Sequence, residues 1–385
     1  MPPTDKLSQT EDVVREEYFE SRATGVEIEG EDPQPSDDPE PWDPEKIRVH
    51  TKHYSLRQLM EMVVEGDIDL APDFQRQYVW KPKQRSALIE SLLLGIPLPS
   101  FYFNEDASAR LQVVDGVQRL TTIYRYLIDK SFSLGKVTYL HDLEGQSFDD
   151  LSPLFRRRLN SAQFVAHVID PQTPYRVKFD IFRRINTGGS PLSAQEIRHC
   201  MSGTRSRGFL KELVADESFT TATGGALGDH PRMADREMAL RFVGFRLFTS
   251  EEYAQHGSFD DFLGIVTKRL DDPASQGLDR LRADFVRGMT NCYEVFGDHA
   301  FRKWPWDATG KNPINRALFE SWGTVLADHD EIRVQGGAAK LASAARDMMT
   351  NDNDFIRSIS SGTGSVRNVQ TRLSKVREAA TAVLG

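Results

Sequence analysis

Residues 111–123 constrain the fold more than any other stretch. The apolar run Leu111-Gln112-Val113-Val114 ends at Asp115-Gly116. A helical pattern starts at once, with Leu120, Ile123, Tyr124 and Leu127 on one face. The chain must therefore make a strand, a tight turn and a helix start in immediate succession. Free N–H groups at a helix N-terminus attract anions, and a glycine there lets a ligand approach the backbone. Arg119 falls in the first turn, where the helix dipole disfavours a cation. Its charge calls for a bound phosphate or a buried acidic partner. The plainer alternative is that Asp115 is an N-cap and Gly116 only serves the turn.

A chain of 385 residues is long enough for one large domain or two ordinary ones. No apolar run suits a membrane span and the first residues carry no apolar signal core, so no membrane partner is expected. Cys200 and Cys292 are the sole cysteines, which argues against a disulfide framework and fits a reducing cytoplasm. The net charge of -9 is unevenly spread. Acidic residues such as Glu11, Glu16, Glu17, Glu27, Glu29, Asp37 and Asp43 crowd the start, and the rest is close to neutral. Residues 1–46 read as an acidic, disordered tail, with a short helix possible over 12–19, and removal of residues 1–42 is expected to leave a folded body. A covering arm over a basic site is the functional alternative.

The ordered body starts near Ile47. A strand is expected over 47–54 and a helix over 55–64 capped by Ser55, then a helix over 83–94 stopped by Gly95. Strands at 101–103 and 111–114 form a hairpin, and 137–139 and 163–169 are further strand candidates. Thr173-Pro174 opens a helix running to about Ile185, and Ser193-Ala-Gln-Glu196 is a capping box for the next. Beyond Ser206 only helical patterns occur. The expected fold class is α+β, with a mixed α/β domain over 47–205 and an all-helical domain over 206–385.

Three polar clusters fall in the first half: Asp73-Phe-Gln-Arg-Gln-Tyr-Val-Trp80, the Asp-Gly turn, and Phe182-Arg-Arg-Ile-Asn-Thr-Gly-Gly189. Together with Leu-Leu-Leu-Gly-Ile-Pro-Leu-Pro at 92–99, their order and spacing resemble the N-terminal domain of GmrSD-type restriction enzymes over about residues 50–200. The resemblance implies a fold related to ParB and sulfiredoxin. It also implies binding and hydrolysis of a nucleoside triphosphate, and phosphate sites commonly recruit Mg²⁺ through one carboxylate. Carried over position by position, Asp115, Gln118 and Arg119 take the catalytic places and Asp115 the metal. Gln75, Arg76, Gly116, Thr121, Arg183 and Asn186 take the nucleotide. Val117 stands where the family signature Asp-Gly-Gln-Gln-Arg has its first Gln, and an apolar side chain cannot replace those hydrogen bonds.

The full enzymes add an HNH-type nuclease. Here the histidines are scattered, with no paired-His or Cys/His spacing, no Gly-x-Ser-x-Gly elbow and no Walker loop. The expectation is a nucleotide-binding regulatory or sensor protein of an anti-phage restriction system. It acts with a separate nuclease or other defence protein and does not itself cleave DNA. The rival reading is a DNA-binding or DNA-cleaving protein whose arginines hold backbone phosphates.

Overall fold

The computed structural model describes residues 14–19, 21–29, 44–70, 80–106, 108–185, 192–256 and 258–385. The chain divides into two compact units. One comprises residues 40–203; the other combines 1–39 with 204–385.

The helical unit opens with an unexpected element. Strands β1 (Glu16–Phe19) and β2 (Arg22–Glu27) form an antiparallel hairpin. The tail and the short helix expected there are thus corrected for residues 14–29. The reason lies far along the chain. Val26 is fully buried in the core of the helical unit and bridges Ile314, with Glu27 N–H donating to the Ile314 carbonyl at 2.8 Å. The acids also have partners. Arg241 grips Glu29 with both ends of its guanidinium at 2.6 and 2.9 Å, Lys303 meets Glu27 at 2.7 Å, and Arg316 reaches Glu17 at 3.2 Å. Acidic composition alone suggested a solvated tail, whereas burial beside these cations makes it part of the unit. The rest of this unit is a run of helices from Thr204–Ala215 to Val366–Leu384 around one apolar core.

The other unit is built on a mixed sheet. Its strands are β3 (Val49–Ser55), β4 (Ile68–Asp69), β5 (Phe101–Glu105), β6 (Leu111–Asp115) and β7 (Gln163–Ile169), in the order β3-β7-β5-β6-β4. The β5–β6 and β3–β7 pairs are antiparallel, while β5–β7 and β4–β6 are parallel. Period-two alternation sends Phe101, Phe103, Val113, Phe164, Ala166 and Val168 into one core. Four helices supply most of the rest of that core, α1 (Leu56–Glu65), α2 (Pro82–Leu94), α3 (Val117–Leu127) and α4 (Pro153–Ser161), and Leu134, Leu143 and Leu151 between α3 and α4 join it. Each fully buried Leu, Ile or Phe contributes about 1.5–3 kcal/mol. Two further helices, α5 (Tyr175–Ile185) and α6 (Ala194–Met201), complete the unit.

Local signals were faithful. The Ser55 hydroxyl accepts from the Gln58 N–H, Gly95 ends α2 in the left-handed region, and Ser193 with Glu196 forms the capping box. One expectation is corrected. Residues 137–139 are not a strand. The buried Glu90 carboxylate of α2 accepts N–H groups from Thr138, Tyr139 and Leu140 at 2.6–3.0 Å, which claims the donors a sheet would need. Burial pushes the Glu90 carboxyl up, but these donors prevail and hold it below the usual range. Thr173 spends its hydroxyl on strand β3's approach, donating to the Arg48 carbonyl at 3.1 Å and accepting the Arg48 N–H at 3.3 Å.

Candidate functional site

Strand β6 ends at Asp115 and the chain turns into α3 at Gly116, which has φ 99°. A Cβ at position 116 would lie 2.3 Å from Phe101 Cδ1, so both the dihedral and the space demand glycine. The first helical bond runs from Leu120 N–H to the Gly116 carbonyl at 2.9 Å. The N–H groups of Val117, Gln118 and Arg119 therefore have no partner within the helix. Among the described residues no side chain caps them. Asp115 is not the N-cap that the plainer sequence alternative made it. Its Oδ2 accepts from Arg119 Nη2 at 2.8 Å.

Arg119 is the centre of a clamp. Besides Asp115, its Nη2 donates to the Ser100 carbonyl at 3.2 Å and its Nη1 donates to the Pro99 carbonyl. The guanidinium also lies 4.8 Å from the centroid of the Phe101 ring. Of the two anions its position called for, the structure provides an acidic partner, Asp115, which is half-exposed rather than buried. Burial draws the arginine's pKa down, and Asp115 offsets this only in part. The clamp ties the entry of β5 to the first turn of α3 and so holds the Gly116 turn in shape.

Two polar atoms in the first two turns of α3 are buried without a hydrogen-bond partner among the described residues: Gln118 Oε1 and Thr121 Oγ1. Thr121 itself is 4% exposed. Buried polar groups are satisfied in the great majority of cases, so such orphans call for a water or a ligand. Asp115 is half-exposed and uses one carboxylate oxygen on Arg119. Among the described residues no group of three or more His, Cys, Asp or Glu side chains could enclose a metal ion. A divalent ion here would draw on one carboxylate plus its ligand's own oxygens and water, as Mg²⁺ commonly does.

The remaining expected site residues are distributed unevenly. Arg183 is exposed in the last turn of α5, where the dipole favours a cation. Gln75, Arg76 and Asn186 lie outside the described residues.

Sequence reasoning missed a polar chain on the other face of the sheet. Lys178 of α5 donates to Asn104 Oδ1 at 3.0 Å, Asn104 Nδ2 to Gln112 Oε1 at 2.9 Å, and Gln112 Nε2 to the Ser202 carbonyl at 3.0 Å. Asn104 and Gln112 are directly paired across β5 and β6. The signal was present as a polar residue within each of two apolar strand runs. Also missed was the pair Tyr102 and His167, whose rings stand 4.8 Å apart on neighbouring strands.

Residues 56–201, within the sheet-bearing unit, match the family model of the GmrSD restriction endonuclease N-terminal domain. The match covers this part of the chain alone, and the likeness points to a component of a restriction system. No curated protein matches the chain. Among the described residues no helix is long and apolar enough to cross a membrane.

Proposed function

We propose that the protein is a nucleotide-binding regulatory component of its restriction system, passing its state to a separate nuclease. One observation carries the reading. Among the described residues no side chain caps the glycine turn that starts helix α3, and Gln118 Oε1 and Thr121 Oγ1 in the first two turns of that helix are buried without partners. Phosphates on the open N–H groups of residues 117–119 complete the helix N-terminus, and the orphan atoms receive hydrogen bonds from the same ligand or its waters. Asp115 offers its second oxygen to Mg²⁺.

Arg119 acts in this reading by shaping the turn, since its guanidinium is committed to Asp115 and two carbonyls. Val117 in place of the signature Gln favours binding over turnover, because it offers no hydrogen bond to a reacting water.

Calorimetric titration of ATP and GTP into the full chain, with and without Mg²⁺, is the test. Saturable binding that Mg²⁺ strengthens is expected. Absence of binding by either nucleotide, with duplex DNA binding that weakens steeply as salt rises, would transfer the site to nucleic acid.

A further inference from the structure

A row of side chains crosses the sheet and ends at the Asp115–Gly116 turn. Register places Thr51 of β3 opposite His167 of β7, His167 beside Tyr102 of β5, and Tyr102 opposite Asp115 of β6. The row is ordered. Thr51 Oγ1 and His167 Nδ1 lie 3.2 Å apart, which fixes the imidazole, and the imidazole and phenol rings stand at 4.8 Å with 35° between their planes. Both rings are half-buried rather than packed away. Among the described residues no hydrogen bond engages the Tyr102 hydroxyl or His167 Nε2. Further along the same strands, Asn104 and Gln112 are covered and bonded to Lys178 and Ser202. The ring pair thus has unused polar edges where its neighbours have none.

Backbone geometry singles out the same place. The β5–β6 ladder is regular from Glu105 to Phe103 and breaks between Phe103 and Tyr102, where Asp115 rather than Val114 comes opposite Tyr102. Bulges of this kind re-aim a side chain and concentrate beside functional sites. A ring pair brought next to an anion-binding helix start matches the two ends of a nucleotide, a planar base and a phosphate tail.

We propose that Tyr102 and His167 hold the base of the nucleotide whose phosphates lie on the α3 N-terminus. The inference rests on the nucleotide reading above and adds the residues that distinguish a nucleotide from a bare polyphosphate. The base lies against the ring pair. Tyr102 supplies the aromatic surface, and His167, oriented by Thr51, adds a hydrogen-bonding edge. Ring contacts are sequence-tolerant, so these two residues discriminate base from no base more strongly than one base from another.

The experiment compares ATP, GTP and inorganic tripolyphosphate, each with Mg²⁺, on the wild-type chain and on Tyr102→Ala, Tyr102→Phe and His167→Ala. Wild type is expected to bind a nucleotide more tightly than tripolyphosphate. Tyr102→Ala should lose about tenfold or more in nucleotide affinity, the scale of one lost stacking contact, and keep its tripolyphosphate affinity. Tyr102→Phe should retain the nucleotide preference, and His167→Ala gives an independent truncation should Tyr102→Ala not fold. Equal loss for nucleotide and tripolyphosphate in the variants, or no loss for either, overturns the base assignment. So does a wild type that binds tripolyphosphate as tightly as nucleotide. A wild type that binds none of the three refutes the nucleotide reading itself.

Discussion

Replacing Arg119 by alanine separates a structural arginine from a free phosphate ligand. The substitution removes the ion pair to Asp115, the donors to the Ser100 and Pro99 carbonyls, and the contact with the Phe101 ring. Asp115 is 40% exposed, so solvent screens that pair and its share is at most about 1 kcal/mol. Each carbonyl bond to a charged donor is worth about 1.5 kcal/mol, and the ring contact about 0.5–1 kcal/mol. Because these overlap in one side chain, the total loss is about 2–4 kcal/mol. In a domain of this size that is a fall in melting temperature of about 5–15 °C. Differential scanning calorimetry without ligand measures it, and Arg119→Lys should recover only the charge and not the forked contacts. An Arg119→Ala protein that melts with wild type but no longer binds nucleotide would refute the clamp and restore Arg119 as a phosphate ligand, one of the two roles its place in the sequence allowed.

Two other outcomes follow from the helical unit. Deleting residues 1–29 should destabilise it by about 3–5 kcal/mol, because Arg241 and Lys303 lose buried carboxylates and Val26 leaves the core; unchanged thermal unfolding would return the segment to the status of a tail. The contributions of two buried groups, His230 and Asp235, to the pH response should largely cancel between pH 4 and 6.5 in wild type, because they oppose each other there. Burial holds His230 down at about 4 against an ordinary 6.5, so its contribution is lost as pH falls. Burial pushes Asp235 up to about 6 against 3.8, so its contribution is lost as pH rises. Asp235→Asn should expose the His230 slope as a loss of up to about 3 kcal/mol on acidification from pH 6.5 to 4, read by urea unfolding at several pH values; an unchanged profile contradicts the assignment.

What the sequence revealed, and what it hid, divides by range. The Ser55 cap, the Gly95 stop and the Ser193–Glu196 box depend on residues within a turn of one another, and each is found where the pattern put it. The hairpin at 16–27 depends on Ile314, Lys303 and Arg241, which no local reading connects to an acidic segment. The loop at 137–140 is shaped by Glu90, about fifty positions upstream. At the candidate site, the glycine turn and the conflict at Arg119 were visible as a strand-turn-helix pattern. The resolution of that conflict was not, since Pro99 and Ser100 reach Arg119 through the β5–β6 pairing. Tyr102 and His167 escaped notice because sixty-five positions of sequence separate two residues that parallel pairing makes neighbours.

Amide hydrogen exchange over the β6–α3 junction tests the central claim most directly. Among the described residues the N–H groups of Val117, Gln118 and Arg119 have neither a helical partner nor a capping side chain, so they should exchange readily in the ligand-free chain. Adding ATP or GTP with Mg²⁺ should slow exchange in the peptide that carries them, and the helical unit should show no comparable direct protection. Nucleotide binding that leaves residues 117–119 as fast as before would place the ligand elsewhere and contradict the account.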